Sequence, residues 1–367
     1  MIELHTEICD MLGIEYPVFG FSHCRDVIAA ISNGGGIGIL GAGGMTPNQL
    51  RIEVDWLRQH CDKPFGLDIL LPQSNPATGE RQEMLAEIPI ENIEFMEKFR
   101  REVGLPPGYR MPTGEMEMGH GGTLATQRAQ VEMICSLKPA VFAGGLGMTD
   151  EVVNTCHQAG IRVIGLSGTV KQARRVANLG VDIIVAQGTE AGGHTGNIGL
   201  MTLVPAVVDA VKPKPVLAAG GITIGRQVVA ALALGAQGVW TGSMWLVAHE
   251  NPLEDFVKDR IVDATEVDAV LTKVYSGKQR RSLKNKFIEY WNQPGAPIIL
   301  PMPFQMMYLA LTNHVSSEEA DRTWERLGLQ DYLSTPAGQG ICLIKARQSA
   351  KKILYDMISE AVEVLID

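Results

Sequence analysis

The residues best suited to catalysis in this sequence lie in a glycine-rich stretch with one histidine. The apolar run Val181–Ala186 predicts a short buried strand, and the chain continues as Gln187-Gly-Thr-Glu-Ala-Gly-Gly-His194-Thr-Gly. Gly192 and Gly193 allow backbone conformations that other residues avoid and let a ligand approach closely. A neutral histidine exchanges a proton near neutral pH, so His194 is the candidate acid or base. A plain strand-to-helix turn with a surface histidine is the alternative interpretation.

Short apolar runs alternate with amphipathic helical segments and must position this stretch. The predicted strands are Tyr16–Phe19, Ile37–Leu40, Phe65–Leu70, Ala140–Ala143, Arg162–Leu166, Asp182–Ala186, Val216–Ala219 and Gly238–Thr241. Eight strand-helix steps in this length predict an α/β fold, a closed (β/α)8 TIM barrel, whose chemistry lies where the strands end. A doubly wound open sheet is the rival fold.

Two regions depart from the alternation. Residues 72–122 are rich in Glu, Met, Pro and Gly, and we interpret them as an insertion after strand 3, a lid or an interface element. Residues 251–367 predict a mostly helical C-terminal region packed on the barrel of residues 1–250. Its predicted helices are Glu254–Asp263, Lys284–Tyr290, Ser317–Leu327 and Ala346–Ile366.

Two glycine turns fall at the ends of the last two predicted strands. Gly220 and Gly221 follow one strand, and Gly242 and Ser243 follow the other. In TIM barrels these two loops commonly bind phosphate through backbone N–H groups. The pattern therefore predicts a phosphate site, with two ordinary turns as the alternative.

The composition excludes several classes of function. The 367 residues carry a net charge of -9, which argues against nucleic acid or an anionic membrane as partner. Six scattered cysteines without a CxxC pair indicate free thiols in a reducing cytoplasm, neither a disulfide framework nor a metal site. The N-terminal residues show no signal-peptide pattern, and no uncharged apolar run approaches a membrane span. We therefore expect a cytoplasmic enzyme acting on a small molecule.

Five segments together resemble the nitronate monooxygenases, formerly called 2-nitropropane dioxygenases. They are Ala186–Gly196, Ala29–Leu40, Lys63–Leu67, Ala219–Ile222 and Gly242-Ser243. The resemblance covers roughly residues 8–250, and the family shares the QGxEAGGHxG pattern with FMN-dependent enoyl-acyl-carrier reductases and with reductases of steroid-ring CoA thioesters. It implies a barrel that binds FMN without a covalent bond.

The resemblance also implies roles for individual residues. The FMN phosphate would lie on Gly220, Gly221, Gly242 and Ser243, and Gly192 and Gly193 would also bind the cofactor. The isoalloxazine would lie over Phe19, Gly20 and Phe21, near Asp68 and Gln187. His194 matches the catalytic histidine. The implied reaction is oxidation of alkyl nitronates or nitroalkanes with O2 to a carbonyl compound and nitrite.

Departures from the family leave other functions open. Asp68 stands where the family usually has Asn, and the usual Met near Phe21 is missing. An acid near the flavin pyrimidine, or near an anionic substrate, would repel negative charge unless it is paired. One alternative is an enoyl-thioester or CoA-thioester reductase that consumes NAD(P)H. Another is a flavin-binding subunit without turnover. The oligomeric state stays open, with a homodimer as one option.

Further polar residues are secondary candidates. His23 follows strand 1 and is either a second substrate contact or a loop histidine without a role, and His120 could reach the site if the insertion folds over. Glu190 is interpreted as a hydrogen-bond partner that holds the glycine loop. A run of basic residues comprises Lys278, Arg280, Arg281 and Lys284. Most such runs are solvated helix faces, and we interpret this one in the same way. Alternatively, it could bind a CoA or carrier phosphate or pair with acids across a subunit interface.

Overall fold

A closed barrel of parallel strands forms the centre of the protein. The computed structural model describes residues 3–71, 80–104, 123–313 and 328–366. The strands are β1 (Val18–Ser22), β2 (Ile37–Gly41), β3 (Phe65–Leu70), β4 (Val141–Gly145), β5 (Arg162–Ser167), β6 (Ile183–Gln187), β7 (Gly193–His194), β8 (Val216–Ala219), β9 (Gly238–Thr241), β10 (Ala269–Thr272) and β11 (Arg280–Leu283). The barrel order is β1-β2-β3-β4-β5-β6-β8-β9, and β9 pairs with β1 to close it. The predicted TIM barrel is confirmed, and the open sheet is excluded.

Helices surround the barrel. They are α1 (Glu7–Leu12), α2 (Arg25–Asn33), α3 (Pro47–His60), α4 (Glu80–Ala86), α5 (Ile90–Glu102), α6 (Leu124–Leu137), α7 (Asp150–Gln158), α8 (Val170–Asn178), α9 (Leu200–Val211), α10 (Gly225–Ala233), α11 (Asp255–Val262), α12 (Lys286–Trp291), α13 (Phe304–Asn313) and α14 (Ala350–Ile366). The last helix packs against α10 and α2 and so joins the ring around the barrel. The chain leaves the barrel after β9 and returns to it at its C-terminal end. The division of domains near residue 250 stays a prediction.

Alternation along the strands divides the core into an inner and an outer part. Ile37 and Ile39 of β2 belong to the barrel interior, whereas Leu40 packs with the surrounding helices. On β3, a Cβ added at Gly66 would meet interior atoms of Ile39 and Val141, so the glycine faces inward. Asp68 lies two residues further along the same strand, and side chains two apart in a strand share a face. Asp68 therefore points into the barrel.

The first strand lies later in the chain than predicted. The predicted strand Tyr16–Phe19 ended before Gly20, but β1 continues through Gly20 to Ser22. A Cβ on Gly20 would lie 2.5 Å from Cδ1 of Ile31, so the glycine is a close contact with α2 and does not mark a turn. Packing against α2 therefore explains the glycine at position 20, and β1 ends closer to His23 than predicted.

The tail contains a small sheet that the sequence analysis missed. Strands β10, β11 and β7 pair antiparallel, in the order β10-β11-β7. The interpretation of the basic run as a solvated helix face is wrong, because Arg280 and Arg281 lie in β11 and Arg281 is only 6% exposed. His194, predicted in a loop, forms β7 with Gly193.

The insertion and the tail share an aromatic core. Phe99 of α5 packs edge-on against Phe287 of α12, with ring centroids 5.3 Å apart. Asn92 of α5 also donates a hydrogen bond of 2.9 Å to the carbonyl of Ile298. Aromatic pairs of this geometry add stability beyond their buried area. The two regions that interrupt the barrel pattern therefore pack on each other.

Some sequence predictions fall outside the described residues. They include His120 and the predicted helix Ser317–Leu327. Within the described part of the chain, no helix has the length and apolar character needed to span a bilayer. The same residues contain no cluster of three or more His, Cys, Asp or Glu side chains able to hold a metal ion.

Candidate active site

Strands β6, β8 and β9 end side by side at one mouth of the barrel. Gln187 at the end of β6 pairs in register with Ala219 of β8, and Ala219 pairs with Trp240 of β9. The N–H of Gly188 donates to the carbonyl of Ala219 at 2.8 Å, so the glycine loop begins against the end of β8. The structure thus brings the histidine-bearing loop and both predicted phosphate loops to one edge.

Glu190 holds the glycine loop. Both of its carboxylate oxygens accept hydrogen bonds from the N–H of Leu200, at 2.9 and 3.1 Å, at the first turn of α9. A carboxylate at a helix N-terminus satisfies unpaired N–H groups and interacts favourably with the helix dipole. Thr195 adds a hydrogen bond of 2.7 Å to the carbonyl of Gly188. The structure therefore shows Glu190 in the structural role predicted for it.

His194 is anchored by the small sheet. It pairs in register with Arg280 of β11, and its Nδ1 lies 3.3 Å from the carbonyl oxygen of Gln279. Since a carbonyl oxygen only accepts hydrogen bonds, Nδ1 carries the proton in the neutral ring, and Nε2 is the basic nitrogen. Gly193 before it has φ +73°, a left-handed conformation suited to glycine. The imidazole is thereby held in one tautomer at the edge of the mouth.

The segment Ala337–Gly340 crosses the predicted phosphate loops, and sequence reasoning missed it. The N–H of Gly338 donates to Oγ of Ser243 at 2.8 Å, and the N–H of Gln339 donates to the carbonyl of Glu190 at 2.9 Å. A Cβ at Gly338 would approach the carbonyl oxygen of Glu190 to 2.5 Å. The sequence signal that could have indicated this segment is Gly338-Gln339-Gly340, which lies far along the chain from the strand ends.

The two phosphate loops differ in how much space they leave. Gly221 has φ +69°, and a Cβ there would lie 3.1 Å from Cβ of Glu190. At Gly242 a Cβ would meet no atom of the described residues within 4 Å, and φ is -137°, outside the left-handed region that favours glycine. The open space at Gly242, with the Ser243 hydroxyl beside it, fits an oxyanion ligand such as a phosphate.

The residues predicted at the end of β1 occupy different depths. Phe19 is fully buried in the barrel interior, with its ring centroid 6.4 Å from that of Trp240. Phe21 lies nearer the mouth, 6.1 Å from Trp240, and contacts His23 edge-on. Gly20 faces α2. Phe21 and Trp240, the latter not anticipated from the sequence, are therefore the aromatic rings best placed to line a bound ring system.

His23 and Asp68 both lie beside the end of β2. Nδ1 of His23 is 2.7 Å from the carbonyl oxygen of Gly41, and Gly41 pairs in register with Asp68. Asp68 is 7% exposed, and its Oδ2 has no hydrogen-bond partner among the residues that the structure describes. Burial raises the pKa of Asp68 to about 7. The carboxyl group is therefore neutral in the folded protein at mildly acidic pH.

Replacing Asp68 by Asn should stabilise the protein increasingly as pH rises. The unfolded carboxyl ionises near its ordinary pKa of 3.8, but the folded one keeps its proton to about pH 7. Between these values the folded state binds more protons, so wild-type stability falls as pH rises and then levels off. The stability gain of Asp68→Asn should grow by roughly 2–3 kcal/mol between pH 5 and pH 8. Urea unfolding at both pH values measures it, and a pH-independent difference would contradict it.

Comparison with known proteins places the chain in a family. The nitronate monooxygenase family model matches residues 5–360. Rv1533 of Mycobacterium tuberculosis, whose name provisionally calls it a monooxygenase, is 37% identical over 376 residues, covering 99% of this chain and 98% of that protein. A probable nitronate monooxygenase of Staphylococcus aureus is 33% identical over 304 residues, covering 78% of this chain and 81% of that protein.

Solved structures share the fold. FabK from Thermotoga maritima superimposes with a TM-score of 0.71 at 26% identity, covering 99% of this chain and 98% of that chain. A nitroalkane oxidase from Streptomyces ansochromogenes has a TM-score of 0.79 at 24% identity, covering 98% and 99% of the two chains, which shows the common barrel. Since the family match spans nearly the whole sequence, the chain belongs to the nitronate monooxygenase family and is an oxidoreductase.

Proposed function

We propose that this protein binds FMN and oxidises alkyl nitronates with O2 to a carbonyl compound and nitrite. The observation that carries the proposal is the meeting of the His194 loop with both predicted phosphate loops at one barrel mouth. Family membership supports the reaction class, and the space at Gly242 supports a phosphate-bearing cofactor. The substrate is a small molecule, and the acting electron acceptor is O2.

The residues present fit a bound FMN. Gly220, Gly221, Gly242 and Ser243 would hold its phosphate through backbone N–H groups and the serine hydroxyl. Gln187 and Phe21 would border its ring system, with Trp240 beside Phe21. FMN supplies the electron transfer that no side chain can perform. A neutral Asp68 would offer an O–H donor without adding negative charge near the ring.

His194 would act as the acid or base of the reaction. Its Nε2 is the basic nitrogen when Nδ1 donates to Gln279, so it can accept the acidic proton beside a nitro group. When protonated, the same imidazole can hold a nitronate anion that arrives already formed. His23, whose Nδ1 contacts the carbonyl oxygen of Gly41 beside the end of β2, is the proposed second substrate contact.

Anaerobic reduction tests the proposed function against its rivals. The FMN-loaded protein is mixed without O2 with an alkyl nitronate and, separately, with NADPH. Bleaching by the nitronate, followed by nitrite formation when O2 is admitted, is the expected result. Bleaching by NADPH alone would favour the thioester reductase. No bleaching by either reagent would favour a binding subunit.

A further inference from the structure

Arg280 is the nearest cation to His194 in the pairing of the small sheet. The two residues lie directly opposite each other in the antiparallel pair of β11 and β7. Directly opposed residues of an antiparallel pair project their side chains to the same face, with Cβ atoms about 4.5–5.5 Å apart. The guanidinium therefore extends from the same face as the candidate catalytic imidazole.

The charge of Arg280 has no acidic partner in the described part of the chain. Its guanidinium lies over the ring of Tyr275, 4.7 Å from the ring centroid, and its Nη2 donates to Oγ of Ser334 at 3.2 Å. Its Nε is buried and has no hydrogen-bond partner within the described ranges of the chain. Burial lowers the pKa of Arg280, although an arginine stays charged at neutral pH. A partly buried guanidinium is thus left with an unused donor.

Two other basic residues of this run have partners among the described residues. Arg281 donates from Nε to the carbonyl of Thr189 at 2.9 Å and from Nη1 to that of Ala269, and so ties β11 to the glycine loop. Lys284 lies in an exposed ion pair, 3.1 Å from Glu289. Arg280 differs from both because its guanidinium contacts a ring and a hydroxyl group, and no carboxylate of the described residues pairs with it. Removing a charge from water without a partner is costly, so an anionic ligand would complete the site.

We propose that Arg280 is a substrate-binding residue that receives the planar two-oxygen anion of the substrate beside His194. The proposal rests on the proposed function and extends it by assigning the group that recognises the nitronate. A guanidinium offers paired N–H donors that match two oxygens on one atom, as in a nitronate or a carboxylate. The fixed charge of Arg280 selects the anion over the neutral nitroalkane, and His194 is left to exchange the proton.

Acetate is a suitable probe, because it presents the same planar pair of oxygens, and acetamide is its neutral counterpart. Binding to the FMN-loaded protein is measured by calorimetry and by the change in FMN absorbance. Wild type should bind acetate and not acetamide. Arg280→Met should weaken acetate binding by about 10-fold to 100-fold, the effect of losing hydrogen bonds to a charged group. It should also raise KM for the nitronate more than it lowers kcat, with FMN affinity unchanged.

Two matched variants distinguish specific binding of the anion at Arg280 from a general electrostatic attraction by the basic residues. Lys284→Met removes the same charge from the exposed end of the strand and should leave acetate binding unchanged. Arg280→Lys keeps the charge but loses the paired donors, so it should recover part of the affinity. Equal weakening in Lys284→Met and Arg280→Met, unweakened binding in Arg280→Met, or no binding by wild type would overturn the proposal. Failure to take up FMN would instead count against the proposed function, and calorimetry would still report on Arg280.

Discussion

Replacing His194 by Asn is expected to lower nitronate turnover by about 10²-fold or more while FMN stays bound. The imidazole is the acid or base of the proposed reaction, and an amide cannot exchange a proton near neutral pH. The Asn side chain can still donate to the carbonyl of Gln279, which His194 Nδ1 contacts in the wild type. The pairing of β7 with β11 should therefore survive. Steady-state nitrite formation and the FMN content of the purified variant measure the two halves of the prediction.

His23→Asn is the matched comparison, because His23 is the other histidine at the mouth. It follows β1, beside the end of β2, and its Nδ1 contacts the carbonyl oxygen of Gly41. As a substrate contact it should raise KM, with kcat reduced far less than in His194→Asn. The reverse ranking of the two variants would move the acid or base role to His23. Unchanged turnover in His194→Asn would remove that role from His194.

Local patterns were sufficient to predict the barrel. Each strand is a short apolar run bounded by glycine or polar residues, and each intervening helix repeats apolar residues at helical spacing. The pair Thr46-Pro47 is typical of a helix start. In the structure the Thr46 hydroxyl accepts from the N–H of Gln49, and the Gln49 side-chain oxygen accepts from the N–H of Thr46. Because strand ends fix loop positions in this fold, the meeting of the His194, Gly220 and Gly242 loops also followed from the sequence.

Contacts between distant parts of the chain were not predictable in this way. The pairing of β11 with β7 joins a basic strand to a two-residue strand in a glycine loop, and neither has a recognisable strand pattern. The contact of Gly338 with Ser243 depends on the path of the tail back to the barrel. Asp68 was singled out through the resemblance alone, since its burial depends on β2 and β4, the strands that pair with β3 on either side. Residues whose roles depend on such packing, above all Arg280, became visible only in the structure.

Gly242→Leu is expected to preserve the fold and abolish FMN binding. At this position a Cβ meets no atom of the described chain within 4 Å, and the φ of -137° lies outside the left-handed region that favours glycine. A leucine side chain can therefore be accommodated in the protein without cofactor, but it would occupy the space proposed for the phosphate. Gly221 is a weaker test, because its φ of +69° makes any replacement strained even without FMN.

The expected weakening of FMN binding in Gly242→Leu is 10²-fold or more, or about 3 kcal/mol. Gly242→Ala should give a smaller loss, since a single methyl group fills less of the space. FMN titration by fluorescence quenching measures both, and thermal unfolding of the cofactor-free variants should match wild type within about 2 °C, as expected for a change without strain. Full FMN uptake by Gly242→Leu would show that the phosphate lies elsewhere. Since the placement of His194 and Arg280 relative to the substrate depends on where the cofactor is held, that result would also require a different substrate position.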